Sequence, residues 1–305
     1  MIFDPDIIAA TLRMATPLLL AGLGGLYSER AGIVNIGLEG IMLFGAFSAA
    51  AISVATGNPW LGIAGAVCAG LVVAAIHGVV TIHGHGNHIV SGLGINILGL
   101  AVPVVLCGAF WGTPSSTPTV TAALPPVSIP WLSSLPVIGP ALFSHSWWVY
   151  AALAMVPITI YIMRRTVFGL RLRAVGENPW AAAAAGVQVL RYRWYGVLAS
   201  GVLAGLAGAF LSTEHGSQFI RNMTAGRGYI ALAALIFGNW RPGGLVAACL
   251  LFGFADAVQM RLQGAGVIPP ALVQIFPYVV TLGILAGMGR RTRPPAAVGS
   301  SWQRE

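Results

Sequence analysis

The chain has 305 residues, of which 57% are hydrophobic and 8% are charged, and its arginines outnumber its acidic residues by sixteen to eight. A soluble globular chain carries about 25% charged residues, so this composition excludes a wholly water-facing protein and indicates an integral membrane protein. The apolar segments are continuous runs of helical length without strand-like alternation, which predicts an all-α polytopic membrane protein and excludes an outer-membrane barrel.

About nine transmembrane helices, within a range of eight to ten, are predicted in chain order. Their approximate bounds are 7–26, 33–55, 60–82, 88–111, 146–163, 193–213, 226–240, 243–262 and 271–289. The seventh is short for a hydrocarbon core of ~30 Å, so we expect a broken or re-entrant segment there. Two pairs of glycines, in "GVLAG" (Gly201, Gly205) and "GILAG" (Gly283, Gly287), predict close helix packing. No linker indicates a second domain, so residues 1–305 are expected to form one transmembrane domain.

The arginines indicate the orientation of the chain. Residues 164–193, "RRTVFGLRLRAVGENPWAAAAAGVQVLRYR", hold six arginines and one acid, and the tail 290–305 adds four more arginines. Basic loops of membrane proteins concentrate on the cytoplasmic side. Four predicted spans separate the two regions, so both fall on the same side. We therefore expect a cytoplasmic loop over 164–193, a cytoplasmic tail, and an outward-facing segment over 112–145.

The stretch "GENPWAAAAAGV", residues 176–187, predicts a short exposed helix inside that loop. Asn178 is a favourable N-cap, Pro179 suits a first helical turn, and Gly186 suits the end. The helix is either a solvated connector or a docking element for a cytoplasmic partner, because long ordered loops often carry function.

The polar block "LYSERAGIVNIGLEGIMLFGAF", residues 26–47, stands out in so apolar a chain. Asn35 and Glu39 are four residues apart and share a helix face. An ionised side chain at the bilayer centre costs roughly 2.5–3.5 kcal/mol, so such residues face a cavity or a partner. Glu39 either makes a structural hydrogen bond to another helix or lines a solute path with Asn35. For Glu29 and Arg30 we expect simple hydration at the cytoplasmic interface.

Further polar residues lie near the outer end of the seventh span and within the eighth. The stretch "NMTAGRGYIALAA" places Asn222, Thr224 and Arg227 at that outer end. Arg227 either pairs with Glu214 or contacts a gate or a docked protein. Asp256 is either a polar tie between helices or a path residue.

Several site types lack sequence support. The histidines of "HGHGNH", His83, His85 and His88, match no standard zinc spacing and are expected to form a cytoplasmic turn. No phosphate-binding GxxxxGK[ST] motif and no nucleophile triad occurs, so we expect no cofactor, no metal and no enzyme activity of the chain itself. The excess of arginines over acidic residues does not indicate nucleic-acid binding, because the sequence has no soluble domain that could carry such a surface.

Four blocks of sequence carry a family resemblance that spans most of the chain. They are "SERAGIVNIGLEGIMLFGAF" (28–47), "GLRLRAVGENPWAAAAAGV" (169–187), "NMTAGRGYIALAALIFGNWRPGG" (222–244) and "IPPALVQIFPYVVTLGILAG" (268–287). The chain resembles the membrane subunits of ATP-binding cassette (ABC) importers that serve branched-chain amino acids, simple sugars and nucleosides, and most of all the nucleoside and simple-sugar branch. The resemblance implies a type II ABC importer-like transmembrane domain.

The resemblance also implies roles for particular residues. In that family the second block is the coupling helix that docks into the ATPase, and the match covers Gly176, Glu177, Asn178, Pro179, Ala182 and Gly186. Trp180 stands where relatives often have an acid. The resemblance favours a broken helix along the path without identifying its side chains. The candidate path residues are therefore the polar residues within the spans, Asn35, Glu39, Asn96, Asp256 and Gln274. The candidate contacts with an outer gate or a binding protein are Asn222, Thr224 and Arg227.

The partners implied are cytoplasmic ABC ATPase subunits, a second and often non-identical permease subunit, and a periplasmic or lipoprotein substrate-binding protein. The expected location is the bacterial inner membrane, with nucleosides as the first substrate class and simple sugars as the next. The alternative is an ion-coupled secondary carrier, for which Glu39 and Asp256 would be the intramembrane acids. The helix at 176–187 distinguishes the two, because a secondary carrier does not require it.

Overall fold

The computed structural model describes residues 5–121, 124, 127–128, 144–265, 275, 279, 283 and 292–302. Within these residues the chain forms ten α-helices and two short strands. The helices are α1 Pro5–Arg30, α2 Leu38–Thr56, α3 Pro59–Gly78, α4 His88–Trp111, α5 Trp147–Arg165, α6 Val167–Glu177, α7 Pro179–Ala184, α8 Val189–Phe210, α9 Arg227–Phe237 and α10 Pro242–Ala265. The strands β1 Val127–Ser128 and β2 Ser144–His145 pair antiparallel. Helix α3 continues into a π-helical turn, Val79–His83, and α8 into another, Leu211–His215.

Seven of the described helices are long and apolar enough to cross a membrane, namely α1, α2, α3, α4, α5, α8 and α10. This confirms the predicted all-α polytopic fold. Helix α9 has eleven residues and is therefore about 16 Å long, which is too short for a hydrocarbon core of ~30 Å. The seventh predicted span is thus short, as expected. The ninth, 271–289, lies outside the described residues except for three helical positions, and Gln274 lies outside them entirely.

Helix α8 is the centre of the bundle, packed against α1, α2 and α3. In the most apolar 18-residue stretch of α8, 78% of the residues are buried. The same share for α4 is 28%, so α4 lies at the periphery of the described bundle. Small residues permit this packing. A Cβ atom added to Gly201 would lie 2.5 Å from the carbonyl oxygen of Gly70, and one added to Gly205 would lie 2.5 Å from that of Ala66. The predicted close packing at "GVLAG" is confirmed.

The α1–α2 break, residues 31–37, is not helical, although the second predicted span begins at residue 33. Side chains hold its backbone instead. The Val34 N–H donates to Nδ1 of His88 at 3.2 Å, and Nε2 of His77 lies 2.9 Å from the Val34 carbonyl oxygen. Ser28 Oγ donates to the Ile33 carbonyl at 2.8 Å. The break therefore runs into the bundle, and α2 begins there. His88, expected in a surface turn, is buried and structural.

The loop predicted over 164–193 contains two helices, α6 and α7, where the sequence indicated one. Thr166 caps the start of α6, since its Oγ1 accepts a hydrogen bond from the Gly169 N–H at 3.1 Å. The end of α6 packs directly on the end of α1. A Cβ atom added to Gly176 would lie 2.2 Å from the Arg30 carbonyl oxygen. We call this side of the bundle, with the α1 C-terminus, α6 and α7, the arginine-rich end.

Candidate functional site

Two helix starts meet inside the bundle at Glu39. This residue lies in the first turn of α2, and its side chain is buried. Its carboxylate accepts hydrogen bonds from Thr224 Oγ1 at 2.5 Å, from the Gly226 N–H at 2.8 Å and from the Gly228 N–H at 2.6 Å. The N–H groups at a helix start have no partner within the helix and carry partial positive charge, so a carboxylate stabilises the start of α9. These contacts support the interpretation of Glu39 as a structural tie.

Helix α9 begins inside the bundle because the preceding segment turns sharply. Four residues there have positive φ angles, namely Ser217 at 50°, Asn222 at 57°, Ala225 at 47° and Gly226 at 85°. This segment, residues 216–226, enters from the end opposite the arginine-rich one, whereas the α1–α2 break enters from the arginine-rich end. The two irregular segments meet at Glu39. Discontinuous helices that meet within a bundle are a common architecture for solute sites in transporters.

Asn96 and Asn35 surround the same junction. Asn96 Nδ2 donates to the Ile36 carbonyl at 3.0 Å and to the Tyr229 hydroxyl at 2.8 Å, while its Oδ1 accepts from the Gly40 N–H at 2.8 Å. Asn96 therefore ties α4 to both helix starts. It lies eight residues into α4, about 12 Å from the start of that helix.

Asn35 differs from Asn96 in having an unused acceptor. Its Nδ2 donates to Ser200 Oγ at 2.7 Å. Its Oδ1 is buried and accepts no hydrogen bond from the described residues. A buried acceptor without a donor costs about 1–3 kcal/mol, so this oxygen would be stabilised by any hydrogen-bond donor that reaches it.

A cavity of about 610 Å³ opens between α1, α10 and the π-helical turn of α8. Its volume lies within the range of small-molecule sites, about 300–1,000 Å³. The charged and titratable lining residues are Asp6, Arg13, Glu214, His215 and Arg261. Sequence reasoning selected none of these as site residues, although a lone charge inside an apolar run, such as Arg13 in α1, is a usable signal.

The predicted residues Arg227 and Asp256 lie close to this cavity. Asp256 is within electrostatic range of Arg227, and His215 is within range of both Arg227 and Arg13. The Arg227 guanidinium donates to the carbonyls of Met223 at 3.2 Å and Thr224 at 3.4 Å. Among the described residues no ion pair joins Arg227 to Glu214, so that interpretation of Arg227 is not supported.

The three residues predicted at the outer end of the seventh span have separate environments. Asn222 is exposed, Thr224 is buried against Glu39, and Arg227 is half-buried beside the charged cavity. Next to them the chain pairs with the segment after α4. The Thr117 N–H donates to the Phe219 carbonyl at 3.1 Å, and the Val120 N–H donates to the Ser217 carbonyl at 2.7 Å. This pairing covers the end of the bundle opposite the arginine-rich end.

At the arginine-rich end the structure corrects the expectation for Glu29. Its side chain is buried, not simply hydrated, and it accepts a hydrogen bond from the indole N–H of Trp240. Arg30 donates to the Trp240 carbonyl from Nε at 2.9 Å and from Nη2 at 2.6 Å, and its Nη1 lies 3.5 Å from Glu177 Oε1. The reason is the α9–α10 turn, which brings Trp240 against the end of α1.

Helix α7 has the start and end that the sequence predicts. Asn178 Oδ1 accepts from the Ala181 N–H at 3.0 Å, and Pro179 is the first helical residue. After the helix, Gly186 has a φ of 79°, and its N–H donates to the Ala183 carbonyl at 2.9 Å. This is the geometry of a glycine-terminated helix. Ala182 is buried, whereas Trp180 is 51% exposed, so α7 presents Trp180 outward.

Comparison with known proteins identifies the family to which this sequence is similar. The family described as "Branched-chain amino acid transport system / permease component" matches residues 7–285. The chain is 38% identical over 301 residues to the nucleoside ABC transporter permease protein NupC of Lactococcus lactis subsp. cremoris, covering 95% of this chain and 94% of the relative.

Two other relatives carry different substrate names. The guanosine ABC transporter permease protein NupQ of Bacillus subtilis is 37% identical over 303 residues, covering 96% of this chain and 95% of the relative. The glucose ABC transporter permease protein TsgB13 of Haloferax volcanii is 26% identical over 291 residues, covering 91% of this chain and 76% of the relative.

Proposed function

This chain belongs to the branched-chain amino acid transport system/permease component family, and we propose from that membership that it is the membrane-spanning subunit of an ATP-driven nucleoside importer. The observation that carries the proposal is helix α7. It is short, capped at both ends and exposed at the arginine-rich end. A secondary carrier has no need of such a helix, whereas an importer driven by a separate ATPase needs a surface on which that ATPase acts.

The proposed coupling site is the segment around α7. It comprises Gly176, Glu177, Asn178, Pro179, Ala182 and Gly186. Asn178 and Gly186 fix the two ends of the helix, and Trp180 supplies an exposed apolar contact. An aromatic side chain buries a large apolar area on docking. ATP is hydrolysed by the partner ATPase and not by this chain.

The proposed solute path runs from the charged cavity to the junction at Glu39. Asn35 offers a hydroxyl or base N–H an acceptor that takes no hydrogen bond from the described residues, and Asn96 and Glu39 hold the two helix starts in position around it. Asp256 and Gln274 are further path candidates. A nucleoside is a neutral solute, so amide groups suit its recognition better than full charges do. A simple sugar is the alternative substrate, and the glucose permease among the relatives favours testing it.

The remaining partners follow from the same proposal. A substrate-binding protein, periplasmic or lipid-anchored, delivers the solute to the outer end, where Asn222 and Arg227 are its candidate contacts and Thr224 belongs to the gate. A second permease subunit, expected to be non-identical, completes the pore. The C-terminus and α7 lie in the cytoplasm, and the location is the bacterial inner membrane.

The test is uptake of radiolabelled nucleosides and ribose by cells that lack this chain and carry either the restored chain or variants. We expect deletion to abolish nucleoside uptake, and a well-expressed variant with Glu177→Ala and Asn178→Ala not to restore it. The matched control is Asn87→Ala, which removes the same kind of N-cap from α4. Loss of an N-cap costs about 1 kcal/mol at either site, so Asn87→Ala controls for the Asn178 change. Glu177→Ala also removes the Arg30 ion pair and the acceptor of the Ala296 N–H, so Asn178→Ala alone is measured beside the double variant. Loss of uptake in Asn178→Ala but not in Asn87→Ala identifies α7 as functional.

One outcome would contradict the proposal. Uptake that survives the double α7 variant but stops when a proton uncoupler is added at constant ATP would overturn the proposal in favour of an ion-coupled carrier. Uptake of ribose but not of nucleosides would support the importer and would show that its substrate is a simple sugar.

A further inference from the structure

The last described segment of the chain packs across the arginine-rich end. We call residues 293–302 the C-terminal strap. Its backbone N–H groups donate to three separate elements. The bonds run from Arg293 to Asn239 Oδ1 at 2.8 Å, from Ala296 to Glu177 Oε2 at 3.3 Å, from Ala297 to the Gly176 carbonyl at 2.9 Å, and from Gly299 to the Gly32 carbonyl at 3.0 Å.

These bonds connect parts of the chain that are far apart in sequence. The strap joins the α9–α10 turn, the α6–α7 junction and the α1–α2 break. Two glycines allow this contact. A Cβ atom on Gly176 would meet the Arg30 carbonyl at 2.2 Å, and Gly32 has a φ of 92°. Gly176 and Gly32 therefore pack backbone against backbone, with the strap bonded to both.

The strap ends in a tryptophan placed under α7. Trp302 is buried, and it forms a small apolar cluster with Val175, Ala182 and Val189. Its ring centroid lies 5.9 Å from that of Trp180. Helix α7 thus rests on the strap through Trp302, in addition to its covalent connections to α6 and α8.

We propose that the C-terminal strap is a transmission element, through which a displacement of α7 reaches the α1–α2 break and, beyond it, the junction at Glu39. This inference rests on the proposed function. Close-packed contacts transmit displacements because they cannot deform continuously. The route runs from Trp302 to Gly299 and then to Gly32, two residues before the Val34 backbone that His77 and His88 hold. Without Trp302, α7 can tilt about its extended Asn178 joint without moving the break.

The test uses the complete transporter, with its ATPase, second permease and binding protein, reconstituted in proteoliposomes. The key variant is Trp302→Ala. We expect it to bind the ATPase and hydrolyse ATP as the unmodified transporter does, while nucleoside uptake per ATP falls by about tenfold. For comparison, coupling between two binding sites commonly changes an affinity by about 5–150-fold. Trp302→Phe keeps an aromatic ring under α7 and should restore most of the ratio. The matched control Ser301→Ala, at an exposed strap position, should leave it unchanged.

A second measurement separates transmission from simple stabilisation. Amide hydrogen exchange over residues 31–37 should change between nucleotide-free and ATP-bound states of the unmodified transporter. In Trp302→Ala that nucleotide-dependent difference should disappear, whereas a purely structural loss would alter exchange equally in both states.

Three results would overturn the inference or its premise, and they are distinguishable. An unchanged uptake-to-ATP ratio in Trp302→Ala, and in a chain truncated after Thr292, rules out transmission by the strap. Loss of ATPase binding in Trp302→Ala shows a docking role instead. An unmodified transporter that shows neither ATP hydrolysis nor ATP-dependent uptake defeats the proposed function itself.

Discussion

Glu39 shows how one buried carboxylate can organise two helices. It belongs to the first turn of α2, yet among the described residues it accepts three hydrogen bonds from residues 224–228 at the start of α9. The sequence marks Glu39 as unusual, because an acid in an apolar run needs a partner. It does not identify that partner, which lies about 190 positions further along the chain. A contact of that range depends on the packing of the whole bundle.

We expect Glu39→Gln to destabilise the protein by about 1–3 kcal/mol, because the amide NH₂ would face a backbone N–H and leave a buried donor unpaired. A thermal-shift measurement of the purified protein tests this as a lower unfolding midpoint. The matched control is Glu177→Gln. Its carboxylate is 53% exposed and pairs with Arg30 at 3.5 Å, and exposed pairs contribute about 0–1 kcal/mol. Equal midpoints for the two variants would contradict the structural role of Glu39.

At the scale of elements, a helix whose ends are set by its own residues can be predicted from the sequence. A helix whose start depends on contacts with distant residues cannot. Helix α7 is predictable because Asn178, Pro179 and Gly186 define its ends within nine residues. The start of α2 is not, because the break before it depends on His77 and His88 from other helices. Helix α6 was also missed, since its arginine-rich sequence lacks an apolar run and its cap is a single threonine, Thr166.

Close helix packing leads to a prediction about two glycines. Gly205→Ala would place a Cβ atom 2.5 Å from the Ala66 backbone oxygen, and overpacking of this kind costs about 1–3 kcal/mol. The control Gly94→Ala adds the same atom where nothing lies within 4 Å, and alanine is the better helix former. We expect a lower unfolding midpoint for Gly205→Ala and an equal or higher one for Gly94→Ala. The reverse order would show that α3 and α8 are not in close contact.

At the scale of the whole molecule, the packing brings the arginine-rich loop and the C-terminal strap to the same end of the bundle. The loop with α6 and α7 holds six arginines, and the C-terminal strap packs directly on it. Both therefore lie on one side, in agreement with the even number of spans predicted between them. The segment over 112–145 is predicted to face outward. Its described part pairs with residues 217–221 through backbone hydrogen bonds.

Cysteine labelling tests the orientation. In a chain with its three native cysteines replaced, we expect Ser301→Cys to react with a membrane-impermeant maleimide only in opened or inverted vesicles, because basic loops stay in the cytoplasm. Ser115→Cys, exposed near the opposite end, should react in intact cells. Labelling of Ser301→Cys from outside intact cells would reverse the orientation.

The two histidine contacts with the Val34 backbone determine which substitutions the fold tolerates at that position. His77 and His88 bind the carbonyl and the N–H of residue 34, groups that every amino acid except proline shares. Position 34 should therefore tolerate substitution by other apolar residues. His77 and His88, whose side chains make the two contacts, should not tolerate substitution. In a saturation-mutagenesis library selected for growth on a nucleoside, we expect Val34→Ile and Val34→Leu to survive and Val34→Pro to be lost. Survival of proline there would mean that the imidazoles hold something other than this backbone.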